Sequence, residues 1–258
     1  MQASETSTGR LSISTAQHSQ PTVSIVVPAF NEAERIGDSL HKIDEFMRGS
    51  SLAYEVIVVD DGSTDETSAI VDRSGIRALR LIRNGRNHGK GYTVRQGVLA
   101  AAGKYVLFTD ADLSAPIGEL TKLLDVALNE DADVVIGSRA IDRRYIEKHQ
   151  SRFREMGGIA FNLMVRLFLG LRLHDTQCGF KLFHRERSRR IFERLTTSGF
   201  GFDPEVLFLA KRQGLRIREV PVRWSHSEGS KVRFLRHATV MFMDLVRIRW
   251  NMLTGKYS

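Results

Sequence analysis

One cysteine, Cys178, stands in a chain of 258 residues. An internal disulfide is therefore excluded, as is any thiolate cluster around a metal. Cys178 itself reads as a small buried side chain, and a reducing compartment is compatible with this usage. Long apolar runs are missing as well. None approaches the roughly 18 residues of a membrane-spanning helix, and the N-terminus has no signal-peptide core. Residues 1–20 contain almost no large apolar side chains and are rich in Ser, Thr and Gln, which predicts a disordered tail. The glycine fingerprint of dinucleotide-binding domains does not follow the first strand, which weakens a nicotinamide-dependent oxidoreductase. Nor is there a stripe of alternating basic and aromatic residues or a recognisable nucleic-acid-binding motif, so nucleic acid is not an expected partner. Internal repeats are absent.

What is present is the profile of a globular protein, 42% apolar and 26% charged, long enough for one large domain with a substantial core. Lys and Arg number 38 against 30 Asp and Glu, a net charge of +8. That surplus favours anionic partners, among them phosphorylated substrates and acidic membrane surfaces.

Short apolar runs recur at Val23–Val27, Glu55–Val59, Arg77–Ile82, Lys104–Thr109 and Asp133–Ile136. Helical patterns separate them. The first carries the stripe Ile36, Leu40, Ile43 and Phe46, and later ones cover Gly91–Ala102 and Ile117–Leu128. Capping boxes, Asn31 with Glu34 and Ser63 with Glu66, are expected to open the first two helices. The alternation predicts an α/β domain with a mostly parallel central sheet and helices on both faces. After Arg139 the pattern changes. Residues 140–156 read as a mobile charged connection, followed by a helix over Gly158–Leu171, a strand over Gln177–Phe183, a helix over Asp203–Arg212 and a strand over Arg216–Trp224. The expected layout is a tail at 1–20, one domain at 21–230, and a basic amphipathic helix within 231–258.

Asp110 and Asp112 close the strand Lys104–Thr109. Ligands collect at the carboxyl ends of strands in open α/β sheets. Two carboxylates there can hold one Mg²⁺ or Mn²⁺ shared with substrate phosphates. A turn, with Asp112 capping a helix that begins near Pro116, fits the same residues. Asp60 ends another strand and can accept hydrogen bonds from a nucleotide base or ribose, whereas Asp61-Gly62-Ser63-Thr64 also fits turn chemistry. Asp175 is a third, less certain, acidic strand end. In Gly85–Gly91, Lys90 and the backbone amides can assist a nucleotide, although the spacing is not the dinucleotide fingerprint and a plain loop also fits. His174 and His226 read as packing or surface residues, and Trp224 as core at a strand end or a sugar platform. Arg139, after Gly137-Ser138 at a strand end, stands above the solvated basic face that follows it.

Four segments carry a resemblance: Val26-Val27-Pro28-Ala29-Phe30-Asn31-Glu32, Val58-Val59-Asp60-Asp61-Gly62-Ser63-Thr64-Asp65, Asp110-Ala111-Asp112 and Gly137-Ser138-Arg139. Their order and spacing resemble those of family 2 glycosyltransferases. The segments Asp175–Phe183 and Glu228-Gly229-Ser230-Lys231 resemble the polyprenyl-phosphate (dolichyl-type) hexosyltransferases, most closely the glucosyl-transferring branch. The resemblance covers about residues 22–255. It implies a GT-A (Rossmann-like) fold, a nucleotide-sugar donor with UDP-glucose favoured, Mg²⁺ or Mn²⁺, and a polyprenyl-phosphate acceptor. It also implies a peripheral position on the cytoplasmic face of a membrane.

Carried over by position, Pro28, Ala29, Asn31, Glu32 and Asp60 match nucleotide-contacting positions. Asp110 and Asp112 match the metal and diphosphate motif. Arg139 and Arg154 match basic positions that hold the acceptor phosphate. Ser230, Lys231 and Arg233 match the loop closing over the reacting phosphates. Two departures stand out. Ser114 replaces the metal-binding Gln of mannosyl-transferring relatives, which weakens GDP-mannose as donor. Residues 1–20 are too polar to match the N-terminal anchor of eukaryotic members. Transfer from GDP-mannose, or to a saccharide acceptor, are the competing expectations.

The implied chemistry is coherent. A phosphate monoester has a second pKa near 6, so the acceptor oxygen is already anionic at neutral pH. No general base is then needed, which suits the lack of a convincing catalytic histidine. In-line displacement would invert an α-linked donor to a β-linked product. The segment Val232–Leu253 interleaves apolar and aromatic residues with arginines, a composition that fits an interfacial helix as well as one packed on the sheet.

Overall fold

The computed structural model describes residues 21–148, 152–225 and 234–257; the expected tail lies outside them. The first half alternates as its sequence pattern requires: β1 (Val23–Ala29), α1 (Ile36–Arg48), β2 (Tyr54–Asp60), α2 (Thr67–Asp72), β3 (Leu79–Arg83), α3 (Lys90–Ala100), β4 (Tyr105–Thr109), α4 (Leu120–Asn129) and β5 (Val134–Ser138). Then follow β6 (Ile146–Lys148), α5 (Arg152–Leu169), β7 (Phe180–His184), α6 (Arg185–Arg194), α7 (Phe202–Arg212), β8 (Ile217–Pro221), β9 (Trp224–Ser225) and α8 (Phe234–Leu253).

Seven strands make one sheet in the order β3-β2-β1-β4-β7-β5-β8. Neighbours are parallel except around β7, which runs antiparallel to both β4 and β5. A parallel β7 would need a crossover long enough to bring the chain back to the opposite edge. The chain instead leaves α5 and enters β7 from the carboxyl edge of the other strands. Alternate residues feed two cores, one on each face. Val23, Ile25 and Val27 join Ile36, Leu40 and Leu123 on one side. Val26, Ile57 and Phe108 join Val94, Val165, Phe192, Val206 and Leu245 on the other.

Several local expectations are corrected. Helix α1 starts at Ile36, not at Asn31, and neither α1 nor α2 has a side-chain cap. Asn31 (φ +56°) and Ser63 are bonded to each other's loops instead, so long-range pairing displaces the local capping boxes. Asp112 caps no helix; Pro116 precedes a short 3₁₀ turn. The charged connection contains structure, a 3₁₀ turn at Arg143–Tyr145 and then β6, which pairs with β9. Helix α5 starts earlier than Gly158, and α6 was not anticipated.

Candidate active site

Pairing between β1 and β4 ends at Val26–Phe108, while β1 and β2 stay paired to Ala29–Asp60. The Asp61 N–H donates to the Ala29 carbonyl, so in an alternating strand Pro28 faces the side where β4 has departed. Its missing N–H leaves no ladder bond unmade there. This is also where strand order reverses, the position at which open α/β sheets bind ligands.

Two loops meet over this crevice. The backbone N–H of Asn31 donates to Ser63 Oγ (2.8 Å), and Thr64 N–H donates to Asn31 Oδ1 (2.8 Å). Glu32 N–H donates to Thr67 Oγ1 (2.8 Å). Asn31 takes its left-handed conformation at small cost, as Asn does more readily than most residues. Asp60 is buried, with Oδ1 accepting from Ser63 N–H (3.0 Å) and Ser63 Oγ (2.5 Å) and Oδ2 accepting from Ser68 Oγ. Its neighbour Asp61 has a separate task. It accepts from Asn84 Nδ2 (2.8 Å), His88 N–H (3.0 Å) and Gly89 N–H (2.7 Å), and so shapes the loop that delivers Lys90.

Lys90 opens α3 and places Nζ 2.6 Å from Asp110 Oδ1. Burial works against its charge, but Asp110, Asp203 and Asp112 outweigh it and raise the pKa. Leu113 N–H returns to the Asp110 carbonyl (3.1 Å), and Ser114 N–H donates to Asp112 Oδ1 (2.9 Å), so both carboxylates belong to one tight turn. Asp110 lies over Gly179. A Cβ on that glycine would sit 1.9 Å from Asp110 Oδ2. Below, fully buried Lys181 is bonded to Asp203 on α7 and to the Cys178 carbonyl (2.5 Å). Burial pushes the Cys178 thiol up to about 12, so it is inert. The ring of Phe200 lies 5.7 Å from Lys90 Nζ.

Arg139 follows β5 and meets Asp175 in a bidentate clasp. Nε donates to Oδ2 (2.6 Å), Nη2 to Oδ1 (2.8 Å), and the Arg139 backbone N–H also reaches Oδ2 (3.1 Å). The guanidinium lies 5.3 Å from the centre of the Trp224 ring. Burial opposes the Asp175 charge, yet Arg139 holds its pKa down to about 2. Beside this pair opens a cavity of about 480 Å³, bordered by Arg139, Asp175, Trp224 and the α5 residues Ile159, Asn162 and Leu163. Nη1 carries none of the bonds to Asp175, which leaves donors for an anion in the cavity.

Thus Pro28, Ala29, Asn31, Glu32, Asp60, Lys90, Asp110, Asp112 and Arg139 converge on one edge of the sheet. Ser230, Lys231, Arg233 and His226 lie outside the described residues, as does the side chain of Arg154. His174 is exposed, beside Glu219. Sequence reasoning read Asp61 with Asp60 as a strand end or a turn, not as the brace of the Lys90 loop, and passed over Glu219, the Lys181–Asp203 pair and the Thr196–Gly201 loop with Phe200. A lysine inside an apolar strand was a legible sign of a buried partner, and the glycines at 199 and 201 marked a loop.

The model of glycosyl transferase family 2 matches residues 24–192. The dolichyl-phosphate beta-glucosyltransferase of Dictyostelium discoideum is 35% identical over 247 residues, covering 90% of this chain and 75% of its own. The Saccharomyces cerevisiae protein of the same name is 36% identical over 256 residues, covering 91% and 76%. Among solved structures, mannosyl-3-phosphoglycerate synthase from Rubrobacter xylanophilus superposes with a TM-score of 0.66 at 21% identity, covering 92% of this chain and 75% of that one. Glucosyl-3-phosphoglycerate synthase from Mycobacterium tuberculosis in complex with UDP gives 0.64 at 23%, covering 89% and 80%.

Proposed function

Because the chain belongs to glycosyl transferase family 2, with the GT-A fold its motifs implied, we propose that it transfers glucose from UDP-glucose to a polyprenyl phosphate of dolichyl type, with inversion. The observation that carries this reading is the Arg139–Asp175 clasp beside a largely apolar cavity, one strand end away from the Asp110–Asp112 turn. An anionic head on an apolar chain matches a guanidinium edge next to Ile159 and Leu163. The names of the two relatives above point to the same acceptor and sugar.

Asp110 and Asp112 fit a divalent cation. Asp110 already attracts an ammonium, and the missing side chain at Gly179 keeps room for its carboxylate. Among the described residues no third carboxylate, histidine or cysteine joins them. The remaining ligands would be donor phosphate oxygens and water, as is usual for Mg²⁺. When bound, the metal supplies positive charge against the leaving diphosphate. The chain's own groups do the rest. Lys90 adds a second positive charge on the donor side. The Asn31–Thr64 brace with Asp60 forms the nucleotide end of the crevice. Arg139 orients an acceptor phosphate whose oxygen is already anionic, so that attack proceeds in line without a protein base.

Attachment to a membrane surface completes the reading. No helix among the described residues is long and apolar enough to span a bilayer. Helices α5 and α8 do expose apolar side chains, among them Ile159 and Leu163, which border the cavity, and Leu167 and Trp250. A panel of radiolabelled UDP-glucose, GDP-mannose and other donors, offered with a polyprenyl phosphate and scored for lipid-extractable product, tests the proposal. UDP-glucose should dominate. A preference for GDP-mannose would overturn the donor assignment, and label found only in saccharide would overturn the acceptor.

A further inference from the structure

Arg139 owes its orientation to Asp175, and Asp175 stands in a turn, Leu173–Asp175, without regular secondary structure. That turn is gripped from two sides. Glu219 on β8 accepts the backbone N–H of His174 at both carboxylate oxygens (2.9 and 2.8 Å) and that of Asp175 (2.9 Å). Its Oε2 also lies 3.0 Å from His174 Nδ1. On the carbonyl side, Asn162 Nδ2 donates to Leu173 (3.1 Å) and His174 (2.7 Å), and Arg166 Nε donates to Leu173 (3.1 Å). Glu219 is paired in register with Ile136 of β5, the strand that ends in Arg139. Its side chain is 8% exposed and does not line the cavity.

We propose that Glu219 is a positioning residue for the acceptor site. By fixing the Leu173–Asp175 turn it sets the Asp175 carboxylate, and through that carboxylate the free edge of the Arg139 guanidinium. The reason is geometric. A flexible arginine binds a phosphate well when its planar fork is already aimed, and a turn of three residues cannot aim it unless its own backbone is held. Two carboxylates in series, Glu219 to the turn and Asp175 to the arginine, connect a rigid strand to the ligand-binding edge. A glutamine at 219 keeps the shape but offers one acceptor oxygen and sets an amide N–H against a backbone N–H.

The inference rests on Arg139 as the acceptor-phosphate ligand, so the test separates the two. Glu219→Gln, Arg139→Ala and the double variant are made in the full chain. Polyprenyl-phosphate KM is measured at saturating UDP-glucose, UDP affinity by calorimetry, and folding by the thermal midpoint. Glu219→Gln should raise acceptor KM about tenfold, the loss of one charge-assisted hydrogen bond, with UDP affinity and the midpoint close to wild type. In the Arg139→Ala background the same change should add nothing, because its effect passes through Arg139. Wild-type acceptor KM in Glu219→Gln beside a raised KM in Arg139→Ala overturns the positioning role alone. Additive losses in the double variant overturn it too. An unchanged acceptor KM in Arg139→Ala overturns the acceptor reading and, with it, this inference. Should Glu219→Gln fail to fold, Asn162→Ala loosens the same turn from its carbonyl side. The cycle with Arg139→Ala is then read in the same way.

Discussion

Gly179 matters for what it lacks. Asp110 Oδ2 occupies the volume a methyl group would fill, and the Gly179 carbonyl accepts the Asp110 N–H at 3.2 Å. Close approach of two backbones is the usual reason for a glycine beside a strand. Adding a methyl group there must push the carboxylate off its position. Asp112→Asn acts differently, keeping shape while removing charge from the turn that Leu113 and Ser114 close. Both variants should weaken Mn²⁺ binding in the presence of UDP, followed by electron paramagnetic resonance. Asp112→Asn should lower turnover about a hundredfold or more, since a metal held there would contribute several kcal/mol to the leaving group. Full turnover by Asp112→Asn, or by the wild-type enzyme in excess chelator, would remove the metal from the mechanism.

At the scale of elements, α7 ties the active-site wall to the end of the chain. Glu205 is fully buried and accepts from Thr196 N–H (3.0 Å), Thr196 Oγ1 (2.7 Å), Thr197 N–H (2.8 Å) and Tyr257 Oη (2.6 Å). It therefore holds the loop that carries Phe200 toward Lys90. Glu205→Ala should cost about 2–4 kcal/mol, because buried donors lose their acceptor. Denaturant unfolding checks this, and a loss below about 1 kcal/mol would mean water replaces the carboxylate. None of this was visible in the sequence, where Glu205 is the second of two acidic residues in an otherwise apolar stretch. The legible elements are the continuous apolar runs of β1, β2 and β4 and the periodic Ile36–Leu40–Ile43 stripe of α1. Helix α6 escaped because Arg185–Arg194 buries only Ser188, Ile191 and Phe192 in a run dominated by arginine. The antiparallel course of β7 is set by where its preceding loop lies, which the five residues of the strand do not encode. The strand-end carboxylates and Arg139 could be found from motif spacing. The Arg139–Asp175 clasp could not, because its partners are brought together by β5 and the β7 entry loop.

For the molecule as a whole, the informative feature is an apolar face that no part of the described chain covers. Helices α5 and α8 pack together, with Phe168 and Phe242 edge to face at 5.5 Å. Their inner residues, Val165, Leu245 and Ile248, are buried. Their outer residues are not: Leu167 is 74% exposed and Trp250 65%, with Met156, Leu163, Met243 and Leu253 also exposed. Contiguous patches of this kind mark interaction sites more often than they occur by chance. Exposed Arg166, Arg172, Arg247 and Arg249 lie on or just beyond the same helices. Apolar groups rimmed by arginine suit an anionic bilayer, where each basic residue near the surface adds about 1 kcal/mol. Leu163 and Ile159 also border the cavity at Arg139, so a lipid chain lying on this face would have its phosphate near the guanidinium. The protein should therefore co-sediment with phosphatidylserine vesicles at low salt and less so at high salt, as screening weakens the electrostatic part. Leu167→Glu with Trp250→Glu should abolish most of that binding while UDP affinity and the thermal midpoint stay near wild type, because neither side chain reaches the core. A wild-type protein that remains in the supernatant at low salt would show that the exposed face has some other purpose, and the acceptor would then have to reach Arg139 without the bilayer holding the enzyme beside it.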